Sequence, residues 1–159
     1  MIAVIDPGAK TAELATFNTI CRLANAPMSY HLPALQGMDS LNRLEDPISG
    51  IIVFGSSASV HDPLPWQAPL RAWLEPRLKQ GIPTLGLCYG HQLIASLLGG
   101  QVGFVREDQE KLAGLRTISL SGSKLWGDQE GGVIVTHRET VTEVPPGMKV
   151  IGTSADVPT

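Results

Sequence analysis

The chain has 159 residues, of which 43% are hydrophobic and 17% are charged, and its formal net charge is −3. This balance predicts one globular domain with an apolar core and argues against disorder. No basic run favours nucleic acid, and no apolar stretch reaches the roughly 20 residues of a membrane-spanning helix. The two cysteines, Cys21 and Cys88, are too few for a disulfide scaffold and predict a protein of the reducing cytoplasm.

Apolar runs that predict buried strands alternate with helical patterns through the first two thirds of the chain. Strands are predicted over 2–5, 27–32, 51–54 and 83–87, and helices over 11–24, 66–80 and 92–98. We expect Pro76 to kink or split the helix over 66–80, because proline lacks the main-chain N–H. Four further strands are predicted over 102–105, 115–120, 133–137 and 149–153.

This alternation predicts an α/β fold with a flavodoxin-like, doubly wound, mostly parallel sheet and helices on both faces. The strand-rich later part predicts a small antiparallel extension of that fold. Ligands of such folds bind outside the carboxyl ends of the strands. We therefore expect the functional residues to follow the strands that end near Gly55 and Cys88.

The segment around Cys88 has the pattern of a nucleophile elbow. A buried strand leads into residues 86–90, Gly-Leu-Cys-Tyr-Gly, and a helical pattern follows. Glycines suit both flanks of such a turn, because the main chain crowds there. The thiol is left exposed at a helix N-terminus, where unpaired N–H groups favour a thiolate. A packing cysteine needs no such glycines, so we predict that Cys88 is the nucleophile and that Cys21 packs in the core.

Residues 86–92, Gly-Leu-Cys-Tyr-Gly-His-Gln, resemble the nucleophile motif of class I glutamine amidotransferases. Residues 51–62 resemble the glycine-rich oxyanion loop of that family, with Gly-Ser-Ser where members usually have Gly-Gly-Pro. Residues 135–147 resemble the segment that lines the glutamine pocket, and the pattern of residues 59–66 is similar to that of GMP-synthase-like stand-alone members. Together the likenesses run over nearly the whole chain.

The resemblance implies hydrolysis of the glutamine side-chain amide by a Cys-His-Glu triad. It implies that the ammonia passes to a synthase, and it implies no cofactor or metal. The sequence contains no ATP-binding loop of the Gly-x-x-x-x-Gly-Lys type, so we expect the synthase to be on another chain. The oxyanion hole would consist of main-chain N–H groups. The site residues that it implies are the nucleophile Cys88, the oxyanion-hole residues Tyr89, Ser56 and Gly55, and the substrate contacts Gln92, Thr136, His137 and Arg138.

The catalytic base of the family is the histidine of a His-Pro-Glu motif, which does not occur in the sequence. The histidines present, which match other positions, are His31, His61, His91 and His137. We therefore expect residues 1–159 to be a single amidotransferase-like domain that is truncated at its C-terminus and hydrolyses glutamine poorly alone. Truncation would leave a sheet edge near 149–153 unpaired or covered by a neighbouring chain. Two alternatives stay open: a γ-glutamyl peptidase, and a regulatory domain without catalysis.

Overall fold

The computed structural model of the protein describes residues 1–45 and 47–157. The chain forms two compact units, Met1–Leu97 and Leu98–Thr159. Among the described helices, none is long and apolar enough to cross a membrane. Within the same residues, no group of three or more His, Cys, Asp or Glu side chains is arranged to hold a metal ion.

The first unit is built on a four-stranded parallel sheet with the strand order β2-β1-β3-β4. Its strands are β1 (Ile2–Ile5), β2 (Met28–His31), β3 (Gly50–Val53) and β4 (Thr84–Gly86). Its helices are α1 (Leu14–Leu23), α2 (Pro33–Gln36), α3 (Asp39–Asn42), α4 (Gln67–Lys79) and α5 (Tyr89–Leu97). The chain adds strands on both sides of β1, so the sheet is doubly wound and its winding reverses between β1 and β3. This arrangement confirms the predicted fold class.

The apolar core of the first unit follows from its two central strands. A strand that is covered on both faces reads as a continuous apolar run, and β1 and β3 have such runs. Ala3, Val4 and Ile5 of β1 are fully buried, as is Val53 of β3. The carboxyl ends of these strands are therefore fixed by burial, and the loops that leave them start from rigid positions.

Helix α4 differs from the prediction because it continues through Pro76 as one helix. Proline near the end of a helix removes one hydrogen bond, whereas Leu70, Trp73 and Leu74 bury one face of α4 and hold it in place. The Arg77 guanidinium also lies 3.8 Å from the Trp73 ring centroid and donates to the Trp73 carbonyl oxygen at 2.6 Å. These contacts stabilise the turn that contains the proline.

Helix α1 differs from the prediction because neighbouring elements cover little of its surface, and none of its residues is buried. Leu14 and Leu23 are 54% and 83% exposed. The prediction that Cys21 packs in the core is wrong: its side chain is exposed, and its Sγ lies 3.9 Å from Met28 Sδ. The spacing of apolar residues indicates which face of a helix is apolar, but it does not indicate how much of that face a neighbour covers.

The second unit contains two antiparallel sheets, as the predicted extension requires. One pairs β5 (Gln101–Phe104) with β8 (Glu139–Glu143), and the other has the order β7-β6-β9. The three strands of that second sheet are β6 (Leu112–Leu120), β7 (Gln129–His137) and β9 (Gly152–Thr153). Within the described chain, β9 pairs only with β6, so an edge strand lies where one was expected. Strand β8 was not predicted, because its polar sequence has no apolar run.

Candidate active site

Cys88 lies at the turn between β4 and α5 in a left-handed main-chain conformation. Its φ is +51°, which side chains other than glycine rarely adopt. This conformation costs about 1–2 kcal/mol, and residues held in it cluster at functional sites. Helix α5 begins immediately, since the Gln92 N–H donates to the Cys88 carbonyl oxygen at 3.1 Å. The geometry is that of a strand, a strained turn and a helix, as the nucleophile elbow requires.

The glycines on both sides of Cys88 allow close approach of main chains. A Cβ at Gly86 would lie 2.5 Å from the Gly90 carbonyl carbon and from the His91 nitrogen. A Cβ at Gly90 would lie 2.8 Å from the Val53 carbonyl carbon. Because these neighbours are main-chain atoms of regular elements, they cannot move aside for a side chain. The requirement for glycine at both positions, which the sequence predicts, is therefore steric.

The loop after β3 lies beside the elbow at the same edge of the sheet. Strands β3 and β4 are parallel neighbours in which Val53 stands opposite Gly86. The Leu87 N–H donates to the Val53 carbonyl oxygen at 2.9 Å, which extends this pairing by one step. A Cβ built on Gly55 would lie 3.5 Å from the Cβ of Cys88. The structure thus brings the predicted oxyanion loop next to the predicted nucleophile.

Two main-chain donors are available at this edge. Within residues 1–45 and 47–157, the N–H groups of Ser56 and Tyr89 donate to no protein acceptor. The Tyr89 N–H belongs to the first turn of α5, where N–H groups have no partner inside the helix. Uncommitted donors beside a nucleophile can bind a developing oxyanion, and this role of Tyr89, Ser56 and Gly55 stays a prediction.

The side chain of Tyr89 anchors the elbow in the core. It is 1% exposed, and its ring centroid lies 5.8 Å from that of Trp66. Its hydroxyl has no hydrogen-bond partner within the described chain, and burial raises the pKa of that hydroxyl. The buried ring fixes the orientation of the Tyr89 main chain, and thereby the direction of its N–H.

A cavity of about 440 Å³ opens at the carboxyl edge of the sheet. Its walls are residues 8–11 of the loop after β1, the start of α1, residues 54–57 and Leu87. These walls meet where the winding of the sheet reverses between β1 and β3, which is the usual place for a ligand in this fold class. The cavity therefore lies on the same edge as Cys88.

The predicted substrate contacts lie in both units. Gln92, which is 7% exposed, belongs to the first turn of α5 in the same unit as Cys88. In the second unit, Thr136 and His137 end β7 and Arg138 forms the turn into β8. The His137 Nδ1 lies 3.0 Å from the Glu139 carbonyl oxygen, to which it donates. Substrate binding by these four residues stays a prediction.

The remaining histidines occupy different environments. His31 is 3% exposed, and its two ring nitrogens lie 3.0 Å from Ser40 Oγ and 2.7 Å from Ser29 Oγ. His61 lies in the turn after the oxyanion loop, and His91 lies in the first turn of α5. His31 is thus a buried residue whose ring is held by two serine hydroxyls.

Sequence reasoning missed Asp6, a fully buried carboxylate at the carboxyl end of β1. The available signal was a charged residue directly after an apolar strand, at the edge where ligands of this fold class bind. The Asp6 carboxylate accepts hydrogen bonds from the Gly8 and Glu13 N–H groups, which belong to the segment between β1 and α1.

The fold and the elbow define a protein with a cysteine at a strained strand-to-helix turn of a doubly wound α/β sheet. The family model described as "Glutamine amidotransferase class-I" matches residues 20–158, which is most of the chain. The chain therefore belongs to the class I glutamine amidotransferase family. This membership confirms the family that the motifs resemble.

Two similar proteins are each named "GMP synthase [glutamine-hydrolyzing]". The protein from Streptococcus uberis is 35% identical over 113 residues, which are 69% of this chain and 21% of that protein. The protein from Bordetella parapertussis is 28% identical over a match that covers 99% of this chain and 30% of that protein. The chain thus spans less than a third of the length of these relatives.

A solved glutamine amidotransferase from Thermotoga maritima has a similar fold. The two structures superpose with a TM-score of 0.77 at 20% sequence identity, over 99% of this chain and 69% of the other. At this level of identity the likeness concerns the fold, and it confirms the flavodoxin-like architecture.

Proposed function

We propose that Cys88 of this chain is the nucleophile in hydrolysis of the side-chain amide of glutamine, and that the ammonia is supplied to a synthase. The observation that carries the proposal is the φ of +51° at Cys88, between two glycines that leave no space for a Cβ. A cysteine with a packing role alone does not require this strained main-chain conformation. Membership of the family and the glutamine-hydrolysing relatives support the same reaction.

In the proposed reaction, the Cys88 thiolate attacks the Cδ of glutamine and a tetrahedral oxyanion forms. The N–H groups of Tyr89 and Ser56 donate to this oxyanion, and one such donor is typically worth about 10²–10³ in kcat. The C–N bond then breaks as the nitrogen takes up the proton that the thiol lost on ionisation, and ammonia leaves. Water hydrolyses the γ-glutamyl thioester, which releases glutamate and restores the thiol.

The amino-acid end of glutamine is assigned to the residues that the family resemblance supplies. Gln92 offers an amide in the first turn of α5, within one turn of the nucleophile. The role of Thr136, His137 and Arg138 as substrate contacts rests on the family resemblance alone. A substrate that carries both an ammonium and a carboxylate requires polar groups of this kind.

The ammonia acceptor is proposed to be the substrate of a synthase, as the names of the two relatives suggest. The chain matches 21% and 30% of those proteins, so the synthase activity is assigned to polypeptide other than residues 1–159. Ammonia made at Cys88 would pass to that part or partner.

The test is a glutaminase assay on the full-length protein, with release of glutamate and ammonia as the readouts. We expect Cys88→Ala to abolish both and Cys21→Ala, the matched control, to leave both unchanged. Glutamine hydrolysis that persists in Cys88→Ala would contradict the proposal. A γ-glutamyl dipeptide as a second substrate distinguishes a peptidase, which would cleave it in preference to glutamine.

A further inference from the structure

The oxyanion loop of this chain contains the sequence Gly55-Ser56-Ser57. Here Ser56 is half-buried and its hydroxyl makes two hydrogen bonds. It donates to the Pro7 carbonyl oxygen at 2.9 Å and accepts from the Ala58 N–H at 3.2 Å. The first of these bonds joins the oxyanion loop to the loop after β1.

The loop after β1 is held in turn by the buried carboxylate of Asp6. One carboxylate oxygen accepts from the Gly8 N–H at 2.9 Å, and the other accepts from the Glu13 N–H at 2.7 Å. The second oxygen also accepts a hydrogen bond from the Tyr30 hydroxyl. The Asp6 carboxylate therefore accepts three hydrogen bonds. Two of these, from the Gly8 and Glu13 N–H groups, hold the main chain at the beginning and at the end of the loop.

Tyr30 is itself positioned by packing. Its ring stacks on Phe17 of α1 with 4.3 Å between the ring centroids, and it lies 6.5 Å from the ring of Phe54. Burial and the contact with Asp6 raise the pKa of Tyr30, so its hydroxyl keeps the proton that it donates. Helix α1, β1 and β2 thus all contribute to holding the loop.

We infer that Ser56 is a positioning residue whose hydroxyl clamps the oxyanion loop to a loop that Asp6 and Tyr30 hold in place. The chain of contacts runs from Tyr30 to Asp6, then through the main chain to Pro7, and from Pro7 to Ser56. The catalytic consequence rests on the proposed function, because it assumes that the Ser56 N–H faces the oxyanion.

The first test removes the hydroxyl and keeps the N–H. In the full-length protein we expect Ser56→Ala to lower kcat for glutamine about tenfold with little change in KM. A misplaced N–H donor should lower kcat by less than the complete loss of that donor would. Ser56→Thr restores a hydroxyl and should recover most of kcat. The matched control is Thr19→Ala, which removes an exposed hydroxyl that bonds to the Ala15 carbonyl oxygen at 2.9 Å.

The second test asks whether Tyr30 and Ser56 act through the same clamp. Tyr30→Phe keeps the ring stacking and removes the donor to Asp6, and we expect kcat to fall by a few fold. The double variant Tyr30→Phe/Ser56→Ala should lose little more than Ser56→Ala alone, because coupled residues are not additive. Losses that simply multiply would overturn the inference, as would a wild-type kcat in Ser56→Ala.

A readout independent of turnover separates this inference from the proposed function. Amide hydrogen exchange over residues 54–58 should become faster in Ser56→Ala and in Tyr30→Phe, while exchange in β3 stays unchanged. If the wild-type protein does not hydrolyse glutamine but the exchange responds as described, the proposed function fails and the clamp stands. If the protein is active and neither exchange nor kcat responds, the clamp fails and the proposed function stands.

Discussion

Cys21 and Cys88 are both exposed, yet they lie at opposite ends of their helices. Cys21 lies in the last turn of α1, near unpaired carbonyl groups, whereas Cys88 directly precedes the first turn of α5 and its unpaired N–H groups. The helix dipole favours a negative charge at the N-terminus and disfavours one at the C-terminus. The thiolate is the reactive form of cysteine. We therefore expect Cys88 to react faster than Cys21, although both side chains are exposed.

We predict that iodoacetamide at low concentration modifies Cys88 before Cys21. The reaction should be followed by peptide mass mapping over time, with Cys21→Ala and Cys88→Ala as controls for each site. Modification of Cys21 at the same rate or faster would contradict the argument from the two helix ends.

A methyl group at Gly90 should destabilise the first unit strongly. Gly90→Ala places a Cβ against the Val53 main chain, and overpacking of this kind costs about 1–3 kcal/mol, occasionally more. Gly50→Ala in β3 is the matched control, because its nearest neighbours would be 3.6 and 3.7 Å away, at ordinary contact distance. Urea unfolding of both variants gives the comparison, and equal free energies of unfolding would show that the elbow does not need glycine at 90.

Release of the strain at Cys88 should stabilise the protein. Glycine adopts the φ of +51° without a steric penalty. We therefore expect the free energy of unfolding of Cys88→Gly to be about 1 kcal/mol higher than that of Cys88→Ala. Gln109, with a φ of +59°, provides a second test position. There too, the glycine variant should have a higher free energy of unfolding than the alanine variant. If Cys88→Ala is the more stable of its pair, the turn is not strained in solution.

The stability of the protein should fall on acidification in part because of His31. Burial lowers the pKa of His31, so below about pH 6.5 the unfolded chain binds a proton that the folded state resists. Where the unfolded state binds more protons, stability decreases as the pH falls. We expect His31→Gln to lose less stability than wild type between pH 7.5 and 5.5, measured by urea unfolding at each pH. An identical pH dependence in both proteins would exclude this role.

The sequence predicted those features that are local along the chain. The strands near 2–5, 51–54 and 83–87 have apolar runs, and the elbow is a pattern of neighbouring residues, so both were found. Helices α2 and α3 have only four residues each, which is too short for a periodic pattern, and β8 is polar. These elements depend on tertiary pairing, which no local pattern reports.

The contacts that hold the oxyanion loop were not predictable for the same reason. Tyr30 and Asp6 are 24 positions apart, and Ser56 and Pro7 are 49 positions apart. A serine, a tyrosine and an aspartate are ordinary residues at such positions when read singly. Only the topology brings them together, since β1, β2 and β3 are adjacent in the sheet.

The close approach of the Gly90 main chain to Val53 has a consequence for motion. Helix α5 and strand β3 touch through their main chains, so a displacement of one displaces the other. Cys88 lies two positions before this contact on one segment, and Gly55 lies two positions after it on the other. We therefore expect Cys88 and Gly55 to keep their separation when other parts of the first unit move, so that such motion changes access to the cavity and leaves this edge of the sheet intact.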